Sequence, residues 1–112
     1  MSNADSLGGF QQLVMLAVLR LADAAYGYEI QRELEETAGR SVSIATVYVT
    51  MERLEKKGLV VSWLADPTPV RGGRGKRFYR LTEDGLRVLG DTRDELGRMW
   101  AGVEKQLKVG SP

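Results

Sequence analysis

Between Phe10 and Leu21 the chain is apolar nearly all round: Phe10, Leu13, Val14, Leu16, Ala17, Val18, Leu19 and Leu21 are interrupted by Gln11, Gln12 and Arg20. A helix of that kind is buried on more than one side. It is either the central helix of the domain's own core or a helix whose spare apolar surface meets a second subunit. After a break at Ala24 to Gly27 the pattern becomes amphipathic. Ile30, Leu34 and Ala38 recur at fourfold spacing, while Glu29, Arg32, Glu33, Glu35 and Glu36 face outward and Gly39 supplies a stop. Ser41 or Ser43 can cap a third helix, in which Ile44, Val47, Tyr48, Met51 and Leu54 return every three or four residues. Its opposite face is predicted to carry Ala45, Thr46, Val49, Thr50 and Arg53, flanked by Glu52, Lys56 and Lys57.

The period then shifts toward strand. Gly58 ends the third helix, and Leu59 to Leu64 form an apolar, β-branched run. Asp66, Pro67, Thr68 and Pro69, followed by Gly72, Gly73 and Gly75, interrupt regular structure before a return strand over Lys76 to Leu81. There the alternation puts Phe78 on one side and Arg77 and Tyr79 on the other. Thr82 is a good N-cap, and Glu83 and Asp84 fall in the first turn, where the helix dipole favours anions. Leu86, Leu89, Leu96, Trp100, Val103 and Leu107 then lie close to a heptad seam, broken by Arg93, in a helix expected to run to about Lys108. A long amphipathic helix on so small a domain needs a cover for its stripe, and the first helix of another subunit would provide one.

The elements predict a mostly α, α+β fold: a winged helix-turn-helix over residues 7–82 with a long C-terminal dimerisation helix over 83–108. Residues 1–6 are a native tail or a cloning remnant. At 112 residues the chain is one domain, whose modest core leaves room for association. No apolar run approaches the roughly 20 residues that cross a bilayer, and the N-terminus lacks the pattern of an export signal. A cytoplasmic protein without membrane contact is expected. With no Cys and no His, the usual zinc ligands, disulfides and the imidazole base are absent. Adjacent acids such as Glu35 and Glu36 on an exposed helix read as solvated, and Gly72 to Gly75 lead into no helix and so form no nucleotide loop. Catalysis is not expected, nor any cofactor or metal.

Charge changes the picture locally. The chain carries 16 basic and 15 acidic residues, yet Arg71, Arg74, Lys76, Arg77 and Arg80 fall in ten residues with no acid among them. Such a concentration in a balanced protein marks a docking surface. Arg71, Arg74, Lys76 and Arg77 on a glycine-rich tip have the reach for phosphate, and arginine suits a narrow minor groove. Arg80, nearer the body, can equally pair with an acid. On the third helix the candidates are Thr46, Tyr48, Thr50 and Arg53. Small and weakly polar, that face fits a groove about 12 Å wide. Tyr48 serves either the core or the contact, and Arg53 either DNA or a salt bridge to a second-helix glutamate. Near the C-terminus, Leu96, Met99, Trp100, Val103 and Leu107 with Phe10, Leu13 and Val14 form the expected dimer interface. Two copies of Trp100 facing each other there would make a flat slot for a planar ligand, or simply fill the interface. Gly97 and Gly102 either allow close helix approach or make the helix adaptable.

Taken in order, Tyr26-Gly27-Tyr28-Glu29-Ile30, Thr46-Val47-Tyr48, Arg53-Leu54-Glu55, Gly58-Leu59-Val60 and Gly72-Gly73-Arg74-Gly75-Lys76-Arg77-Phe78-Tyr79-Arg80-Leu81-Thr82 resemble the PadR family of bacterial transcriptional regulators. The resemblance is to its short members with a single C-terminal helix and covers nearly the whole chain. Ala45 and Val49 depart from the glycine and proline common there, so the start of the third helix is expected to differ locally. The resemblance implies a homodimer whose third helices enter successive major grooves of a pseudo-palindromic operator in double-stranded DNA, with the wings on neighbouring backbone or minor groove. It also implies repression and release by a small aromatic or cationic effector. The competing reading is a winged-helix module that binds protein without DNA; a basic tip would not be required for that.

Overall fold

The computed structural model describes residues 7–65 and 75–108. Three helices, α1 (Gly9–Leu21), α2 (Gly27–Ala38) and α3 (Ile44–Lys56), precede strands β1 (Val60–Leu64) and β2 (Arg77–Leu81), and α4 (Glu83–Trp100) follows. Short 3-10 turns at Ala22–Ala24 and Glu104–Lys108 complete the order. The arrangement is the winged helix read from the sequence: a helical body with one small antiparallel hairpin.

The core lies where the apolar faces of α1, α2 and α3 meet beneath the hairpin. Val14, Met15 and Val18 of α1 pack with Ile30 and Leu34 of α2 and Val47, Met51 and Leu54 of α3, closed by Val60, Tyr79 and Leu81 of the sheet. Ala38, although on the fourfold spacing of α2, is exposed. β1 and β2 pair antiparallel with Val60 opposite Leu81 and Trp63 opposite Phe78. A bridge from Tyr26 to Phe78, with the Tyr79 N–H donating to the Ala25 carbonyl at 2.9 Å, ties the entry to α2 onto the other edge of β2.

Side chains on a strand alternate between faces, so Tyr79 and Leu81 share the core side, both buried. Phe78 lies on the opposite face, as the alternation placed it, stacked on Trp63 with ring centroids 6.1 Å apart. Gly58, at φ 78°, turns the chain out of α3 in a conformation that costs other residues heavily.

The C-terminal helix is shorter than its heptad pattern suggests. It ends at Trp100 rather than near Lys108, and Gly102, at φ 84°, lies just past the stop. Glycine here terminates the helix, as it commonly does one residue beyond the cap. Val103 and Leu107 consequently lie outside the helical seam, in the turn and the 3-10 segment. The N-terminal end of α4 is fixed firmly. Thr82 accepts the Gly85 N–H at 2.9 Å, and its own hydroxyl donates to the Gly58 carbonyl at 2.7 Å. Leu89 is buried and Val88 packs on the core, whereas residues 93–100 are all exposed.

Candidate nucleic-acid interface

α3 begins at Ser43, whose hydroxyl accepts the Thr46 N–H at 3.1 Å and lies 2.9 Å from the Thr46 hydroxyl. Of the two serines that could cap this helix, Ser43 does so. Thr46 and Arg53 are exposed, together with Ala45, Val49 and Glu52. Arg53 makes no ion pair among the described residues. Three of the four second-helix glutamates are engaged elsewhere: Glu29 and Glu36 pair with Arg32, and Glu33 with Arg20 at 2.6 Å. Glu33 also accepts the Thr37 hydroxyl, and that bond, with Arg20, holds its carboxyl below the usual range.

Thr50 does not belong to this face. Only 8% exposed, it donates its hydroxyl to the Thr46 carbonyl at 2.8 Å, which satisfies the group inside the helix rather than presenting it to a groove. Tyr48 divides its roles. It is 41% exposed, yet its ring lies so close over Gly27 that a Cβ there would stand 2.6 Å from the Tyr48 Cζ. The glycine in the Tyr26-Gly27-Tyr28 run thus admits the third helix to the start of the second.

Among the wing residues, Arg71 and Arg74 lie outside the described residues. Lys76 stands 4.3 Å from the centroid of the Tyr26 ring, and Arg80 sits 5.4 Å from that of Trp63 rather than on an acid. Arg77 donates from Nη1 to the Ser62 hydroxyl at 2.8 Å, and Ser62 donates to Glu55 of α3 at 2.9 Å. The hairpin, from the middle of β1 to the loop end of β2, is thereby joined to the C-terminal end of α3. Tyr48, Arg77 and Glu55 all bear on the Tyr79 phenol. Its pKa is pushed up to about 12, first by burial and then by the neighbouring Tyr48, with Arg77 opposing and Glu55 adding. One side of the molecule therefore gathers the third helix and Arg77 of the hairpin.

Residues 15–91 match the model of the PadR-like family of transcriptional regulators. The chain belongs to the PadR-like family. A PadR family regulator from Eggerthella lenta is 33% identical, with 88% of this chain and 84% of that one covered at a TM-score of 0.67. Another from Clostridium difficile is 28% identical, covering 88% and 99% at a TM-score of 0.65. A relative of uncharacterised role from Lysinibacillus sphaericus is 32% identical over 111 residues, 97% of this chain and 94% of its own length. PadR-like proteins are transcriptional regulators.

The expected interface residues of this PadR-like chain are not all available. Val14 is completely buried in the domain's own core, and Phe10 and Leu13 are partly buried against that core. Leu96, Met99 and Trp100 at the end of α4 are 44%, 75% and 43% exposed, and Leu16 and Leu19 of α1 are also exposed. A separate groove of about 560 Å³ runs between the end of α1 and the hairpin, lined by residues including Leu19, Asp23, Trp63, Phe78 and Arg80. Trp100 is not part of it. Among the described residues no helix is long and apolar enough to cross a membrane.

Neither the Glu55–Ser62–Arg77 chain nor the Tyr26–Phe78–Trp63 aromatic cluster was legible in the sequence. Ser62 alone gave a signal, as the one polar side chain inside an otherwise apolar strand.

Proposed function

We propose that this PadR-like protein is a homodimeric, sequence-specific repressor that occupies a pseudo-palindromic DNA operator and leaves it on binding a small aromatic or cationic effector. The observation that carries the reading is the joining of α3 to Ser62 and Arg77 of the hairpin on one side, with Thr46 and an unpaired Arg53 exposed on the helix among the described residues. Thr46 and Tyr48 meet backbone or a thymine methyl, Arg53 a guanine edge or phosphate, and Lys76, Arg77, Arg71 and Arg74 the flanking phosphates.

Dimerisation is supported by the uncovered apolar residues Leu96, Met99 and Trp100 on a helix whose far half touches nothing in its own subunit closely enough to be buried. A second α1, through Leu16 and Leu19, is a chemically suitable cover. The pair of recognition helices would then span half-sites about 34 Å apart. Two copies of Trp100 facing across that seam would receive a planar effector.

The test is titration of a labelled duplex carrying the protein's own promoter, followed by anisotropy with and without planar aromatic compounds while Trp100 fluorescence is read. Saturable binding by two protomers that the compounds reverse is expected. Binding that no such compound weakens would remove the effector, and failure to be retained on a DNA column at moderate salt would favour a protein-docking role.

A further inference from the structure

We propose that Glu55 and Ser62 are positioning residues for DNA binding, holding Arg77 of the wing in fixed relation to the recognition helix so that both approach the duplex as one rigid surface. This rests on the DNA-binding reading above.

The geometry is a relay with a direction. A serine hydroxyl has one hydrogen to give and lone pairs to receive. Ser62 gives its hydrogen to the Glu55 carboxylate at 2.9 Å and receives Arg77 Nη1 at 2.8 Å. Both bonds involve an ionised partner, which makes them shorter and stronger than neutral ones, and each polarises the other. Arg77 spends one of five N–H donors, leaving the rest of the guanidinium for a phosphate.

Three elements meet in this relay: α3 supplies Glu55, β1 supplies Ser62 and β2 supplies Arg77. The bridge to Tyr26 and the Tyr79 bond to Ala25 hold β2 to the body along one edge. The relay adds a tie from α3 to the other end of the pairing, where Arg77 lies opposite Leu64 and the strands give way to the loop. An exposed carboxylate beside a phosphate-binding surface would otherwise repel DNA. Its bond through Ser62 to a cation explains how Glu55 is accommodated there.

The experiment is a double-mutant cycle on operator affinity in the full chain, with Ser62→Ala, Arg77→Ala and both together, each measured across a salt series. Ser62→Ala is expected to weaken binding about fivefold, within the range of one hydrogen bond, without changing the salt slope, because the cation remains. Arg77→Ala is expected to weaken binding and lower the slope by about one. In the Arg77→Ala background Ser62→Ala should cost nothing further. Ser62→Thr, which keeps the hydroxyl on a residue suited to a strand, should restore wild-type affinity, and Glu55→Gln, which keeps an acceptor, should lose less than Glu55→Ala. Additive losses, or wild-type affinity in Ser62→Ala, overturn the positioning role while leaving DNA binding intact. A wild-type protein that binds no duplex at any salt overturns the underlying reading and this role with it.

Discussion

Gly85, in the first turn of α4, is where the C-terminal helix meets the body most tightly, and replacing it with alanine tests that junction. A Cβ at this position would run into the Leu59 carbonyl oxygen, with the Leu59 carbonyl carbon 3.0 Å and its Cα 3.4 Å away. These are backbone atoms, so no side chain can swing aside. The same carbonyl accepts the Thr82 N–H at 3.0 Å, and relieving the clash pulls that bond apart. Overpacking of this kind costs about 1–3 kcal/mol, and a lost hydrogen bond adds about 1 kcal/mol. Alanine's better helix propensity returns about 1 kcal/mol. The net loss is then about 1–3 kcal/mol, which lowers the melting temperature by roughly 4–12 °C at about 4 °C per kcal/mol for a domain of this size. Gly90 provides the control. Nothing lies within 4 Å of its would-be Cβ, so Gly90→Ala keeps only the propensity gain and should raise the melting temperature by about 4 °C. Thermal unfolding by circular dichroism reads both. A Gly85→Ala protein as stable as wild type would refute the close approach of α4 to Leu59.

Other outcomes follow from particular residues. Arg53→Ala should change the ranking of operator variants in anisotropy titrations, whereas Thr50→Val, at a buried site, should leave the ranking alone and cost about 1 kcal/mol of stability; a shifted ranking in Thr50→Val would return that residue to the interface. Leu96→Asp should shift sedimentation toward monomer without lowering helix content, since Leu96 touches little in its own subunit. An unchanged dimer would place the interface elsewhere. The phenol of Tyr79, raised to about 12 by burial, favours its neutral form in the folded protein, so its stabilising contribution is complete below pH 10 and is lost as pH climbs from 10 to 12. Chemical denaturation across that window should show the decline, and Tyr79→Phe should remove it.

The helical body and the hairpin were legible because periodicity, caps and glycine stops agreed at each boundary, as at Ser43, Gly58 and Thr82. Thr50 was misplaced for a definite reason. At about 100° per residue it stands roughly 60° from the line of Val47, Met51 and Leu54, while Tyr48 stands roughly 100° from it on the other side. Polarity suggested the outer face, but angular position put the threonine inside and left the tyrosine half out. For Tyr79 the alternation with Phe78 was legible, and its spacing of two from Leu81 places it on the core side. The early end of α4 reflects Gly102, whose backbone freedom outweighed the continuing apolar spacing of Val103 and Leu107. Bonds such as Glu55 to Ser62 to Arg77 depend on strand register, which only the folded hairpin defines.

We propose α3 and the hairpin at Arg77 as one DNA-reading surface in a dimer. Its most direct test is anisotropy titration of the protein's own promoter against a scrambled duplex of equal length over a series of salt concentrations. A saturable complex of two protomers on the promoter is expected, with an affinity that falls steeply as salt rises and weaker binding to the scrambled duplex at every salt. Equal affinity for both duplexes, or no complex at low salt, would contradict it.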